Sequence, residues 1–350
     1  MFDNWFRRIV AATLLPVLVG CATAPSAPQT PAIAADEFQI PSKTAGVDLF
    51  VRNKRPAGMQ IFASGRIVLF VHGATFPSES TFDIALDGLS WMDFIARSGY
   101  DVYLVDVRGY GGSTRPAAGS ESGGRDTPIA TLAEAVEDVD AAVDFIRRRR
   151  NVERINLIGW SWGTQIMGRY AASHAEKVDH LVLYAPLWQR RSEPAGARGF
   201  DVRVPYRHVN VAGAKSRWLA GVAEDKQEHI LPPGRFETWV AANLATDPWG
   251  SKQTPPVMRA PNGVFADLQT PGEWVPPYNP AAIKAPTLLI KAEWDADTPG
   301  YMAQTLFPLL VSAPRKQYVE IGEGTHTIML ERNRMQLFHT VQMFLDGPRR

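Results

Sequence analysis

The stretch INLIGWSWGTQIMGRYAASHA, residues 155–175, decides how the rest of the chain is read. It opens with a short apolar run that suits a strand covered on both faces and closes in a segment that reads as a helix. Between them GWSWG, residues 159–163, sets Ser161 between two glycines at equal spacing. A strand-to-helix reversal this tight needs positions without Cβ. It lifts the serine hydroxyl out of the sheet at a helix N-terminus, where backbone N–H groups can stabilise an oxyanion. Gly and Ser are common, so the five residues alone say little; between a strand and a helix they are specific.

Working outward, strand-like runs recur on both sides. Two weaker candidates, EFQIP and VDLFVRN, precede RIVLFVHG and YDVYLVDVRG; HLVLYAP, TLLIKAEWD and QYVEIGEG follow the serine. Helix-like segments alternate with them: SWMDFIARSG, TLAEAVEDVDAAVDFIRRR, PGYMAQTLFPLLV and ERNRMQLFHTVQMFLDG. The alternation predicts right-handed crossovers and a mostly parallel sheet of eight strands with helices on both faces. The four arginines at 147–150 end one of these helices, where cations favour the negative end of the helix dipole. Only residues 187–283 break the rhythm. A structureless loop of that length is improbable, and pieces such as RFETWVAANLA predict an inserted, largely helical cap over the strand ends. The core is then residues 37–186 and 284–350.

In open sheets the site gathers beyond the C-terminal strand ends. A serine hydroxyl needs a base within hydrogen-bond reach. Of the seven histidines, His326 is the one on a Gly-rich loop just past the last strand, at the same edge as Ser161. The base needs an orienting carboxylate, and LLIKAEWDADTPG offers Glu293, Asp295 and Asp297. Glu293 is still within strand reach; Asp295 falls in the turn and is favoured, whereas Asp297 could instead cap the following helix. FVHGATFP places the N–H of Ala74 above the serine. With the N–H of Trp162 it would form an oxyanion hole, and His72 would fix the turn.

These motifs together, HGA, DVRGYGGS, GWSWG, EWDADTP and GTH in that order, resemble the α/β-hydrolase superfamily of esterases, lipases and proline iminopeptidases. The resemblance covers most of residues 37–347 outside the cap. It implies an α/β-hydrolase fold, an acyl-enzyme mechanism in the chain order Ser, Asp, His, and a structural role for the Asp106–Ser113 turn. Ala292 and Thr325 stand where glycine is frequent in that family, and neither change removes a group the chemistry needs.

The chemistry expected is hydrolysis of a small-molecule carboxylic ester, with an exopeptidase or amidase as the alternative. The latter would need a cap carboxylate for the substrate ammonium, for which Glu224, Asp225, Glu228 and Glu237 are available. Trp160, Trp188 and Trp294 are expected to wall an apolar or aromatic pocket. No cofactor and no metal are implied: metal-spaced His and carboxylate clusters are missing, and GYGGS lacks the context of a dinucleotide site. Lys plus Arg number 37 against 36 Asp plus Glu, so no net field draws the 350-residue chain to nucleic acid.

The N-terminus follows a separate logic. Residues 1–20 read as a signal peptide: Arg7 and Arg8, then an apolar run to Val19 that is too short to span a bilayer of ~30 Å. The run ends in LVGC, which resembles a bacterial lipobox and marks Cys21, the single cysteine, as the lipidation site. Residues 21–36, rich in Ala and Pro, read as a tether. The expectation is a lipoprotein of the bacterial cell envelope, touching the membrane through lipidated Cys21, on the periplasmic face of the outer membrane.

Overall fold

The apolar runs pair into one eight-stranded sheet, seen in a computed structural model that describes residue 1 and residues 31–116, 127–189, 201–268 and 274–348. Its strands are β1 (Ile33–Pro41), β2 (Asp48–Pro56), β3 (Ile67–Val71), β4 (Asp101–Val105), β5 (Ile155–Trp160), β6 (Val178–Tyr184), β9 (Thr287–Ala292) and β10 (Lys316–Ile321), with β7 (Tyr206–Val209) and β8 (Met258–Pro261) forming a separate antiparallel pair. The spatial order is β1-β2-β4-β3-β5-β6-β9-β10. The β1–β2 and β2–β4 pairings are antiparallel and all later ones parallel.

The helices are α1 (Glu79–Phe82), α2 (Trp91–Arg97), α3 (Leu132–Arg150), α4 (Trp162–Ser173), α5 (Lys215–Trp218), α6 (Glu224–Ile230), α7 (Arg235–Ala245), α8 (Gly263–Leu268), α9 (Gly300–Leu306) and α10 (Arg334–Leu345). Local signals set their ends. Thr131 and Glu134 close a capping box at the start of α3, which stops at Asn151 in the left-handed region (φ 51°), and Ser90 with Asp93 does the same for α2. Arg147–Arg150 fill the last turn of α3, and Arg150 also pairs with buried Asp101 at 2.6 Å.

Alternation along the central strands divides the core. Ile67, Leu69 and Val71 of β3 and Leu157 of β5 pack with α3 and α4, while Val68, Phe70 and Ile158 pack on the opposite face with α2 and α10. Strands β3 to β6 and β9 are buried throughout, so they read as continuous apolar runs. The last strand departs from that expectation. β10 has one neighbour only and most of its residues are half-buried or exposed, because an edge strand is not covered like a central one.

Two boundaries differ from the sequence reading. Residues 33–36, assigned to the tether, belong to β1, where backbone pairing with β2 runs from Ile33↔Pro56 to Asp36↔Asn53. Between β6 and β9 the segment holds α5 to α8 and also the β7–β8 pair, whose four-residue strands are too short to announce themselves by periodicity. The signal peptide and Cys21 lie outside the described residues. No helix among those described is long and apolar enough to cross a membrane.

Candidate active site

Ser161, between β5 and α4, has φ 56° and ψ −119°, a conformation that costs a non-glycine residue on the order of 1–3 kcal/mol. Neighbouring bonds hold it there: Ser161 N–H donates to Tyr184 O at 3.0 Å, and Thr164 donates to Ser161 O through both its N–H and its hydroxyl, at 2.9 and 2.5 Å. The flanking glycines serve close approach. A Cβ on Gly159 would run into the Gly163 carbonyl, and one on Gly163 would lie 2.5 Å from Val71 O, so α4 could not pack down on β3 and β5.

The loop after β10 returns His326 toward this turn. Its Nδ1 lies 2.9 and 3.0 Å from the two oxygens of Asp295, whose side chain is buried. Asp295 also accepts from the N–H groups of Asp297 and Thr298 and from the Thr298 hydroxyl at 2.7 Å, which fixes the carboxylate. Burial opposes the charged imidazole, but the Asp295 carboxylate outweighs it and raises the His326 pKa above its ordinary value. Asp297 does not cap α9, whose N-cap is Pro299; it accepts from Arg217 at 3.0 Å instead. Glu293 turns away and accepts from the N–H of Glu323. Among the described residues no hydrogen bond joins the Ser161 hydroxyl to His326, yet both line one cavity; in free enzymes that contact is often long and tightens with substrate.

Two residues pin the His326 backbone: Trp160, expected only as a pocket wall, and Tyr184, which sequence reasoning passed over. The Trp160 indole and the Tyr184 hydroxyl both donate to the His326 carbonyl, at 2.9 and 2.8 Å. A third, Glu331, is buried, has no ion-pair partner among the described residues, and accepts from Thr325 N–H at 2.9 Å, from the Thr325 and Thr327 hydroxyls, and from the Trp218 indole at 2.7 Å. Burial pushes its pKa up to about 7. Thr325, where glycine is frequent in the family, thus anchors the histidine loop. The signal was the spacing Thr325, Thr327, Glu331, which resembles no motif.

The turn after β3 is equally fixed. His72 is fully buried, and burial lowers its pKa to about 4, so it is neutral. Val107 N–H donates to its Nε2 at 3.2 Å, which leaves Nδ1–H to donate to Gly73 O at 2.7 Å. That carbonyl shares a peptide unit with the Ala74 N–H. Tyr110 and Arg207 both donate to Ala74 O, at 2.8 and 2.6 Å. Trp162 opens α4, where the first N–H groups lack an intrahelical partner; its ring is buried in the core. The Asp106–Ser113 turn is held by its own bonds, with Ser78 and Gly112 N–H donating to Asp106 and the Ser113 hydroxyl donating back to Asp106 O.

The cavity that holds Ser161 and His326 measures about 460 Å³. Phe76, Trp160, Trp218 and Trp239 supply its aromatic lining, and Arg207, Asn210, Arg217 and Asp297 its polar groups. Trp239 meets Phe76 and Trp218 edge-on at 4.5 and 5.1 Å. Of the three tryptophans expected as walls, only Trp160 lines this space. Trp188 is buried against Tyr278 and Trp274 in the core layer that contains α3 and α4, and Trp294 lies half-buried under the Lys226 ammonium. Adjacency in sequence to a site residue does not decide which way a ring turns. No cluster of His, Cys, Asp and Glu among the described residues is arranged to hold a metal.

A family model described as "alpha/beta hydrolase fold" matches residues 66–332. Among solved structures, the chain is similar to an esterase from Thermogutta terrifontis, at 17% identity over 89% of this chain and 98% of that one with a TM-score of 0.56, and to the enol-lactonase from Burkholderia xenovorans LB400, at 18% identity over 89% and 100% with a TM-score of 0.58. A curated relative, a probable 1-acylglycerol-3-phosphate O-acyltransferase of Oryza sativa subsp. japonica, is 29% identical over 126 residues, which are 33% of this chain and 28% of that protein. The match thus spans little more than a quarter of that relative's length.

Proposed function

We propose, for a chain that belongs to the α/β-hydrolase family and is a hydrolase of that type, that it cleaves carboxylic esters through an acyl-enzyme on Ser161. One observation carries the reading: Ser161 shares a cavity with His326, whose far nitrogen is held by a buried carboxylate. In the proposed reaction Ser161 Oγ attacks the ester carbonyl as His326 Nε2 takes its proton. Asp295 keeps Nδ1 protonated and stabilises the imidazolium. The oxyanion is received by the N–H groups of Ala74 and Trp162, each worth on the order of 10²–10³ in rate. His326 then protonates the leaving alcohol, deprotonates a water for attack on the acyl-serine, and returns the proton to Ser161 as the acid leaves.

The substrate class follows from the lining. Phe76, Trp218 and Trp239 suit an apolar or aromatic group. The exopeptidase alternative loses support, because Glu224, Asp225, Glu228 and Glu237 are exposed and none lines the cavity, while the lining carboxylate, Asp297, is paired with Arg217. The test is labelling by a fluorophosphonate with turnover of an ester panel and of aminoacyl anilides. The reading requires labelling that Ser161→Ala abolishes, and ester turnover well above anilide turnover. Absence of labelling in folded protein sinks it.

The N-terminal sequence supports a second proposal, that Cys21 carries lipid and holds the protein at the envelope. A Cys21→Ala variant should then leave the membrane fraction; a variant that stays there refutes the anchor.

A further inference from the structure

Arg207, on β7, reaches the cavity with its side chain almost completely buried. Its Nη atoms donate to neutral oxygens only: the carbonyls of Pro261, Ala260 and Ala74, the Asn262 side-chain oxygen and the Thr75 hydroxyl. Its guanidinium lies 4.4 Å from the Phe265 ring centroid. Among the described residues no carboxylate pairs with it. Elsewhere in the chain buried arginines have such partners, as Arg108 has Asp138 at 2.6 Å and Arg150 has Asp101. A charge taken out of water without a counter-ion is expensive, and a site keeps one when a ligand supplies the opposite charge.

Two more donors face the same space. Arg217 gives Nε and Nη2 to Asp297, which leaves its Nη1 outside that pair. Asn210 accepts from Gly213 N–H through Oδ1, which turns its amide nitrogen to other use. Arg207 and Arg217 lie close enough to disfavour each other's charge. Asp297 neutralises one of the two, so the polar part of the cavity retains a positive charge.

We propose that Arg207, with Arg217 and Asn210, binds a carboxylate on the substrate, so that the preferred esters carry a negative charge away from the scissile bond and an apolar group against Phe76, Trp218 and Trp239. This rests on the ester-hydrolase reading above. Arg207 acts as a buried positive charge whose Nη protons are held by carbonyl and hydroxyl oxygens, while Arg217 Nη1 and the Asn210 amide nitrogen donate to the carboxylate in charge-assisted hydrogen bonds.

The experiment compares kcat/KM for the para-nitrophenyl monoester of glutaric acid with that for para-nitrophenyl hexanoate, a neutral ester of similar size. The native protein should favour the glutarate monoester by about tenfold or more, as one charge-assisted bond provides, and the preference should shrink at high salt. In Arg207→Gln the ratio should fall toward one whatever the absolute rates. In Arg217→Gln, a change at a half-exposed side chain that the fold tolerates, it should fall severalfold. A native ratio at or below one overturns the proposal. So does an Arg207→Gln variant that lowers both esters by one factor, the behaviour of an arginine that only tethers the Ala74 loop. Failure of the native protein to turn over either ester would instead bring down the ester-hydrolase reading, and this inference with it.

Discussion

Trp218 donates its indole N–H to Glu331 at 2.7 Å, which joins an aromatic wall of the cavity to the loop that carries His326. Glu331 holds that loop through Thr325 and Thr327, one on either side of the histidine. A single buried carboxylate therefore couples the pocket wall to the position of His326.

Its pH dependence has a definite sign. The folded-state pKa of about 7 lies above the ordinary 4.5, so the folded protein binds the proton more tightly than the unfolded chain does. Stability from this group is full below about pH 4.5 and declines as pH rises toward 7. Gln at this position cannot titrate. Glu331→Gln should therefore cost more stability at pH 5 than at pH 8 in urea melts, and equal costs at the two pH values would refute the assignment.

His72 titrates with the opposite sign. Its pKa is lowered to about 4 from 6.5, so the stability it contributes is present above pH 6.5 and is lost as pH falls through 4. His72→Ala also leaves Val107 N–H and Gly73 O unpaired in the interior, a loss of about 1–3 kcal/mol for each group. Denaturation at pH 8 should show destabilisation of that order. Ester kcat should fall with it, because the peptide bearing the Ala74 N–H loses its support.

Asp295→Asn should reduce kcat by roughly 10³–10⁴, as expected when the imidazole loses the partner that fixes its tautomer. The pH profile supplies a second readout. Asp295 raises the His326 pKa, and only the neutral imidazole can accept the serine proton, so native kcat/KM should rise with pH through a value above that of an ordinary histidine. In the variant the acid limb should move to lower pH, since burial then acts without the carboxylate. An unmoved limb would show that the pair does not control the base.

Ser161 at φ 56° should respond unusually to substitution. Ser161→Gly and Ser161→Ala both remove the hydroxyl, but only glycine relaxes the backbone. The Gly variant should melt higher than the Ala variant, by an amount corresponding to about 1 kcal/mol or more. Equal melting temperatures would mean that the turn stores no strain.

The order of strands and helices, the break in their alternation between β6 and β9, and the sharp turn at Ser161 could be read from the residues alone. Each rests on local physics: apolar runs that only a sheet covered on both faces can bury, capping residues, and glycines where backbones approach. His326 and Asp295 were legible because both follow strands whose C-terminal ends meet at one edge. The tertiary structure decided what depends on chain segments distant in sequence. It showed that β10 is a half-exposed edge, that Asp297 serves Arg217, and that Trp218 and Trp239 line the cavity in place of Trp188 and Trp294. Glu331, Tyr184 and Arg207 became visible only there as well. A buried polar side chain shows its role through the partners it finds, and those partners lie more than a hundred residues away for Trp218 and Glu331, for Tyr184 and His326, and for Arg207 and Ala74.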